Sequence, residues 1–381
     1  MKILILQKHL RYIGGSEKQI SFISTELSAT DNEIYLWSPN FSEECYPDIK
    51  SYKKINFLNT KLTKNRLFLY LDLMKKIKEL EIDIIYVRES RRLPIYFFIS
   101  KLLGIPLVHH INIDLDQDPN NFHKLCKSIF DDKSKLKYYP RWQYFSYLNF
   151  WIYPYIDQVL TQTPKQTKFM KNMGIKVIEM TNAHRKSDYS ISKSKNPLVL
   201  WVANFRSGIK RPEIFVELAR RLSDTNCIFL MIGRNYSDYR SQNFVASIKS
   251  IPNLYYIGEQ SSEKVNNYFS KATLFVNTSE LEGFANTFLQ AWFTETPVLS
   301  LSIDYDNKLK LRKLGFLAGD IDKLEKEFRF IIKRKDLIKE IGKRARKYAI
   351  KHFEISNISK KYLKIFSNLL KEKNLHQNRN K

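Results

Sequence analysis

The sequence predicts an α/β protein made of two successive halves, each a parallel sheet covered by helices on both faces. Three observations predict it. The 381 residues exceed one ordinary core and suit two domains of about 150 to 200 residues each. Short, continuously apolar runs alternate with helical patterns, the rhythm of strands buried on both faces. The alternation then starts afresh after a polar stretch, "AHRKSDYSISKSKNP" at 183–197, whose serine and lysine content is that of a linker.

In the first half the run "KILILQ" is followed by the helix-like "SEKQISFISTELSA", then "EIYLWS", a helical stretch near 60–80, "DIIYVRE", "LPIYFFISKLLG" and "IPLVHHIN". "QVLTQT", the helix-like "PKQTKFMKNMG" and "KVIEMTN" complete it. One stretch breaks the pattern. "YYPRWQYFSYLNFWIYPYI", 138–156, is so dense in aromatics that it reads either as an interfacial surface or as an aromatic cluster buried beside an interdomain cleft. The second half runs "LVLWVAN", the helix "RPEIFVELARRLSD" with Pro212 in its first turn, "CIFLMIG", "NLYYIG", "EKVNNYFSKA", "TLFVNTS", "ANTFLQAWF" and "PVLSLSI". From about 320 onward the pattern is helical, and the apolar stripe of "ISKKYLKIFSNLL" needs a surface to pack on. The expected domains are 1–185, 196–350 and a helical tail, 351–381, that returns to the first domain.

Composition narrows the function classes. With 43% hydrophobic and 27% charged residues the chain is globular. Cys45, Cys126 and Cys227 are far apart and lack metal-ligand spacing, which argues against a disulfide framework or a zinc site and for a reducing compartment. The apolar run at the start reads as a first buried strand and not as a secretion signal. No stretch reaches the ~18 apolar residues of a membrane-spanning helix. A net charge of +25 favours an anionic partner, whether nucleic acid, anionic lipid or a phosphorylated small molecule, although lysine-rich solvated helix faces also raise it.

The chemistry concentrates in "SELEGFANTFLQAW". The strand "TLFVNTS" leads to a loop with Glu280, Glu282 and Gly283, and a helix starts near Asn286. Glu282 therefore lies at the carboxyl end of a parallel strand, where open α/β sheets bind ligands. The first turn of that helix offers unpaired N–H groups and a positive dipole end, both suited to phosphate. Gln290, about one turn further in, reaches the same ligand. A solvated glutamate and a helix-surface glutamine are the bland alternative. A second loop, "VANFRSGIKRPE", puts Arg206 and Lys210 at another strand end of the same half, two cations able to clamp a diphosphate, with Arg211 able to share the task. In the first half Gly14 and Gly15 stand between strand and helix, where backbone approaches a ligand closely, without the spaced-glycine dinucleotide fingerprint. His109, His110 and Asn112 end a further strand. A histidine there serves a site or simply the core.

Together these segments resemble the family 4 glycosyltransferases, retaining enzymes of the GT-B fold. "SELEGFANTFLQAWFTETPVLS" is similar to their donor-binding signature, which places a second glutamate eight residues after the first, where this chain has Gln290. The resemblance extends to "FRSGIKRPE", "IGGSEKQ", "QVLTQTPKQTKFMKNMGI" and "MTNAHR", and so to nearly the whole chain. It implies two Rossmann-like domains facing each other across a cleft, with C-terminal helices. It implies that Glu282 contacts donor-sugar hydroxyls, that Gln290 holds the nucleotide ribose, and that Arg206 and Lys210 neutralise the diphosphate. Gly283, Phe284, Ala285, Asn286 and Thr287 match the loop that touches the phosphates, and Gly14 and Gly15 the loop facing donor and acceptor. The catalytic set is then Glu282, Arg206, Lys210 and His110, although simple register puts either Asn112 or His110 at the family's N-domain histidine.

The expected activity is transfer of a sugar from a UDP- or GDP-sugar co-substrate to a glycan or lipid-linked acceptor in surface polysaccharide or glycoconjugate assembly. No cofactor or metal and no nucleic acid are expected. The expected location is cytoplasmic, with attachment to the anionic inner face of the membrane. Three rivals are an inactive homologue acting as a partner subunit, which Gln290 keeps alive, a basic nucleic-acid-binding protein, and a metal-dependent transferase using Asp114 and Asp116 of "DLDQD".

Overall fold

A computed structural model of the chain describes residues 1–7, 15–39, 54–58, 66–112, 139–186, 191–205, 209–235, 239–280 and 282–379. Gly14, Arg206, the "DLDQD" run, Cys45 and Cys126 lie outside the described residues.

The chain divides into two compact units, Met1–Arg185 with Ile355–Lys381, and Lys186–Glu354. In chain order the first comprises β1 (Lys2–Leu6), α1 (Gly15–Ser28), β2 (Glu33–Trp37), β3 (Ile55–Phe57), α2 (Arg66–Glu79), β4 (Ile84–Val87), α3 (Leu93–Leu103), β5 (Leu107–His110), α4 (Tyr139–Ile152), β6 (Gln158–Thr161), α5 (Pro164–Asn172) and β7 (Val177–Glu179). The second comprises β8 (Leu198–Val202), α6 (Pro212–Arg221), β9 (Ile228–Ile232), α7 (Tyr239–Ile248), β10 (Leu254–Tyr256), α8 (Ser262–Lys271), β11 (Leu274–Asn277), α9 (Asn286–Phe293), β12 (Val298–Ser300), α10 (Lys308–Leu311), β13 (Gly315–Leu317), α11 (Ile321–Ile332) and α12 (Lys335–Phe353). Helix α13 (Ile355–Arg379) then rejoins the first unit. Helix α12 runs unbroken to Phe353, and Glu354 breaks it with extended backbone, so the crossing comes at Ile355 and not at 351.

Both sheets are parallel throughout. Their orders are β3-β2-β1-β4-β5-β6-β7 and β10-β9-β8-β11-β12-β13. Each chain segment therefore starts in mid-sheet, winds to one edge, then returns to the other side of its first strand. The reversal falls between β1 and β4 in the first unit and between β8 and β11 in the second. Such switch points leave a crevice at the carboxyl ends of the two strands, because their following loops turn to opposite faces.

The sequence explains the layers. Strands such as β8, "LVLWV", and β4, "IIYV", are apolar on both sides because helices cover both faces. In the first unit, Ile20, Ile23 and Leu27 of α1 and Ile358, Phe366 and Leu369 of α13 pack on one face. This is the surface that the apolar stripe of the tail covers. Leu73 and Ile77 of α2, Tyr96 of α3 and Ile152 of α4 pack on the other. Each such side chain stabilises the fold by about 1.5 to 3 kcal/mol when fully buried. Helix starts are set locally: Thr163 Oγ1 accepts from Gln166 N at 3.2 Å ahead of Pro164, and Asp320 accepts from Lys323 N at 2.8 Å. The aromatic-rich segment is helix α4 followed by a 3-10 turn, Tyr153–Tyr155.

Candidate active site

At the switch point of the second unit, two loops are tied together. Glu280 N donates to the Ile209 carbonyl at 2.8 Å, and Thr278 Oγ1 donates to the Lys210 carbonyl at 2.7 Å while accepting from Trp201 Nε1 at 2.9 Å. The loop after β8 is thereby held against the loop after β11. Arg211 takes part through its backbone and its side chain. It occupies the left-handed region at φ 45°, an uncommon place for a side chain of this size. Its guanidinium is braced by the Thr278 carbonyl at 3.0 Å, Ser302 Oγ at 2.8 Å and Glu280 Oε2 at 2.7 Å. These bonds hold the turn that aims the preceding residue, Lys210, across the crevice.

Lys210 Nζ donates to Glu282 Oε1, and Ser279 Oγ donates to the same oxygen at 2.7 Å. Both charged side chains keep some exposure, 21% for the lysine and 14% for the glutamate. The pair is thus partly desolvated, which strengthens it, yet open to exchange with a ligand. Beyond Glu282, Gly283 and Phe284 are buried. Phe284 stacks on Tyr305 with ring centroids 4.7 Å apart, and the Tyr305 hydroxyl accepts from Ala285 N at 2.5 Å. Helix α9 then starts at Asn286 without a side-chain cap, the arrangement that leaves the positive end of a helix dipole available to an anion. Phe288, Leu289 and Trp292 anchor α9 in the core and fix its direction. Gln290 lies half-buried one turn in, and its Nε2 donates to Asn266 Oδ1 of α8 at 2.8 Å.

The first unit's switch point differs. Gln7, directly after β1, donates from Nε2 to Ser16 Oγ at 3.1 Å and Glu17 Oε1 at 3.2 Å, holding the start of α1 near the exposed Gly15. His110 is sealed in the core at 0% exposure. Its Nδ1 is shared by the Tyr86 and Tyr362 hydroxyls, each at 2.9 Å. Burial and the nearby Arg88 charge hold its pKa well below the usual value. The ring offers no atom to a solvent-borne ligand, so its placement fits the core role and not the expected catalytic one. Asn112 is only half-buried, and its amide engages Arg88 from both ends: Oδ1 accepts from Arg88 Nε at 3.2 Å and Nδ2 donates to the Arg88 carbonyl.

The structure therefore brings together Lys210, Glu282 and the segment Gly283–Thr287, with Gln290 on the adjoining helix. Sequence reasoning did not single out Ser279, Tyr305 or Asn266. Ser279 lies inside the motif itself, three residues before Glu282. Nothing in the local sequence marks the other two. Among the described residues no cluster of His, Cys, Asp or Glu is arranged to hold a metal ion.

Comparisons with known proteins agree with this layout. No curated protein sequence matches the chain. Among solved structures, a glycosyltransferase from Rickettsia africae ESF-5 superposes with a TM-score of 0.75 at 16% identity, covering 97% of this chain and 98% of that one. Anabaena Alr3699/HepE, solved in complex with UDP-glucose, gives 0.75 at 16% identity over 97% of this chain and 100% of its own. WaaG, a glycosyltransferase involved in lipopolysaccharide biosynthesis, gives 0.70 at 14% identity over 96% and 99%. At such identities the likeness shows the fold. Family models act on each half separately: "Glycosyl transferases group 1" matches residues 184–348, the half that holds Lys210 and Glu282, and "Glycosyltransferase Family 4" matches residues 13–180. Matched in both halves, the chain belongs to the family 4 glycosyltransferases, with two Rossmann-like domains of the GT-B class.

Proposed function

We propose that this chain is a retaining, metal-independent glycosyltransferase that moves a sugar from a UDP- or GDP-sugar to a glycan or lipid-linked acceptor in surface polysaccharide or glycoconjugate assembly. The observation that carries the reading is the Lys210–Glu282 pair at the switch point, beside the uncapped start of α9. The HepE complexes with UDP-glucose and with UDP support the donor class, and the role of WaaG in lipopolysaccharide biosynthesis supports the acceptor class. Breaking the bond between sugar and phosphate leaves positive character on the sugar and negative charge on the diphosphate. Lys210, Arg206 and the first turn of α9 stabilise that charge more in the transition state than in the ground state. When the diphosphate takes Lys210, Glu282 is released to the donor hydroxyls, and Gln290 turns its amide to the ribose. The acceptor attacks from the face the diphosphate leaves, and that diphosphate takes its proton.

The second reading, an inactive partner subunit, draws on Gln290, whose amide is already engaged by Asn266. Hydrolysis of a panel of UDP- and GDP-sugars by the purified protein in EDTA separates the two. Slow release of nucleotide that chelator leaves unchanged is expected. Loss of activity in EDTA with restoration by manganese contradicts metal independence, and no hydrolysis of any donor favours the inactive homologue.

The acceptor side is assigned to the N-terminal unit and to an anionic lipid surface. No helix among the described residues is long and apolar enough to cross a membrane. The helices on one face of that unit nonetheless leave large apolar side chains in solvent: Phe68 and Leu71 on α2, Phe98 and Leu102 on α3, Trp151 on α4, with Tyr155 just after it. Lys75, Lys78 and Lys101 lie on the same helices. Amphipathic aromatic rings with flanking lysines suit the headgroup region. Sedimentation with anionic but not neutral vesicles, weakened by salt and by Trp151→Ser, is the expected result, and no binding at low salt contradicts the assignment.

A further inference from the structure

Arg88 follows β4 directly, at the switch point of the N-terminal unit, and is 1% exposed. A buried guanidinium ordinarily has a carboxylate beside it, because an uncompensated buried charge is costly. Arg88 has no carboxylate partner among the described residues. Its hydrogen bonds go to neutral acceptors: Asn112 Oδ1 at 3.2 Å, Asn182 Oδ1 at 2.9 Å and, weakly, the Tyr86 hydroxyl at 3.5 Å. A guanidinium has five N–H groups, so among the described residues one on each terminal nitrogen is left over. The next residue, Glu89, could have served. Strand alternation instead sends it to the opposite face, where it binds Arg92 at 3.1 Å and the Tyr96 hydroxyl at 2.6 Å.

The surroundings are prepared in the same sense. Leu6 pairs with Val87, so Gln7 stands beside Arg88 on the same face of the sheet. Gln7 is 4% exposed, and its Oε1 has no hydrogen-bond partner among the described residues. The buried amide of Gln162 reaches Asn112 Oδ1 at 3.3 Å. Behind the arginine, His110 and Tyr362 fix the Tyr86 hydroxyl and add no negative charge. The cluster is close to the surface, because Asn112 is half-buried and Gly15, at the start of α1, is exposed.

We infer that Arg88 is the cationic floor of an oxyanion subsite in the N-terminal unit, and that the group it takes is a phosphate carried by the acceptor, with Gln7 Oε1 accepting from a neighbouring acceptor hydroxyl. This rests on the glycosyltransferase reading, which assigns the acceptor to that unit. The missing counter-charge is then supplied by the substrate, and the paired terminal N–H groups of an arginine suit a phosphate. A phosphate also occurs in the donor, so the test separates the two sources.

The experiment follows thermal unfolding of the full chain with methyl phosphate as probe, in the presence of saturating UDP and again without it. Wild type, Arg88→Met and Arg88→Lys are compared. Methyl phosphate should raise the melting temperature of wild type with UDP bound, and its apparent affinity should fall at least tenfold in Arg88→Met. The shift given by UDP itself should persist in that variant. Arg88→Met without ligand should melt no lower than wild type, since an uncompensated buried charge has been removed. Arg88→Lys keeps the charge without the fork and should bind the probe more weakly than wild type, which preserves the test if the methionine variant does not fold. Equal methyl phosphate shifts in wild type and variants, or none in wild type, overturn the subsite. Loss of the UDP shift in the Arg88 variants overturns its assignment to the acceptor and gives the arginine to the donor diphosphate. Failure of UDP to stabilise wild type counts against the donor reading alone, because the methyl phosphate series without UDP still reports on Arg88.

Discussion

The two switch points use cations in opposite ways. In the C-terminal unit Lys210 and Arg211 each have a carboxylate, Glu282 and Glu280, and the loops that carry them are bonded to one another. In the N-terminal unit Arg88 sits among amides and a phenol, with no carboxylate partner among the described residues. A paired, partly exposed cation can exchange partners, since the carboxylate it leaves turns to water or to a sugar hydroxyl. A buried cation with neutral acceptors stays in tension until an anion arrives. The same parallel-sheet layout thus carries a candidate site set by two bonded loops in one unit and a proposed one set by burial in the other.

The interiors differ likewise. His109, His110 and His184 are all buried in the N-terminal unit, with the pKa of His109 pushed down to about 3 and of His184 to about 4, burial being the main cause. In the C-terminal unit the titratable group that stands out is Lys193, an exposed residue whose Nζ donates to the Ala272 and Thr294 carbonyls at 2.8 and 3.1 Å and whose pKa is lowered to about 7 by desolvation there.

Breaking the first half of the comparison should have the largest effect. Lys210→Ala removes a charge-assisted contact worth roughly 1.5 to 3 kcal/mol, so turnover should fall about ten- to a hundredfold while the unfolding midpoint holds. Arg206→Ala should behave alike, and steady-state rates near wild type in both variants contradict the clamp.

Acid should then separate the units. Each buried histidine has a folded pKa below its unfolded value of about 6.5, so the unfolded chain takes up protons that the folded chain refuses. The corresponding stability is complete above pH 6.5 and declines as pH falls toward the folded values, by up to about 1.4 kcal/mol per pH unit for each ring. Lys193 is protonated in both states well below pH 7, so it adds no such slope there; it makes the C-terminal unit gain stability only as pH rises above about 7. Hydrogen exchange, corrected for intrinsic rates, should show β1, β4 and β5 losing protection between pH 6.5 and 4.5 before β8 and β11. Simultaneous loss in both sheets contradicts the assignment.

How much of this was legible in the sequence follows from the same contrast. The alternation of apolar runs and helical patterns predicts two α/β units, and the segment from Ser279 to Gln290 is contiguous, so its glutamate, its glycine and its helix start can be placed on a strand end from spacing alone. The direct pairing of Lys210 with Glu282 could not be read, because it joins loops 72 residues apart through bonds such as Thr278 to the Lys210 carbonyl. Tyr305 and Asn266 carry no local signal for the same reason. Arg88 meets Asn182 across 94 residues, and Tyr86 meets Tyr362 across 276. The only trace in the sequence is a charged residue directly after the wholly apolar "IIYV". His110 shows the reverse error, since a strand-end histidine is read as a site until its burial is known.

A smaller effect sharpens the donor half. Gln290→Glu exchanges an amide bonded to Asn266 for a carboxylate, strengthening any bond to a ribose hydroxyl but adding negative charge near a diphosphate. These oppose each other, so donor KM should change by less than about tenfold, or 1.4 kcal/mol, with kcat little altered. A variant that gains activity wild type lacks would instead identify the natural protein as an inactive homologue.

The central claim is that the C-terminal switch point binds a nucleotide sugar through Lys210. Calorimetric titration of wild type and Lys210→Ala with UDP- and GDP-sugars tests it most directly. One molecule bound per wild-type chain, with affinity at least tenfold lower in the variant, is the predicted result. Binding of equal strength in both proteins, or none in wild type with any donor, would contradict it.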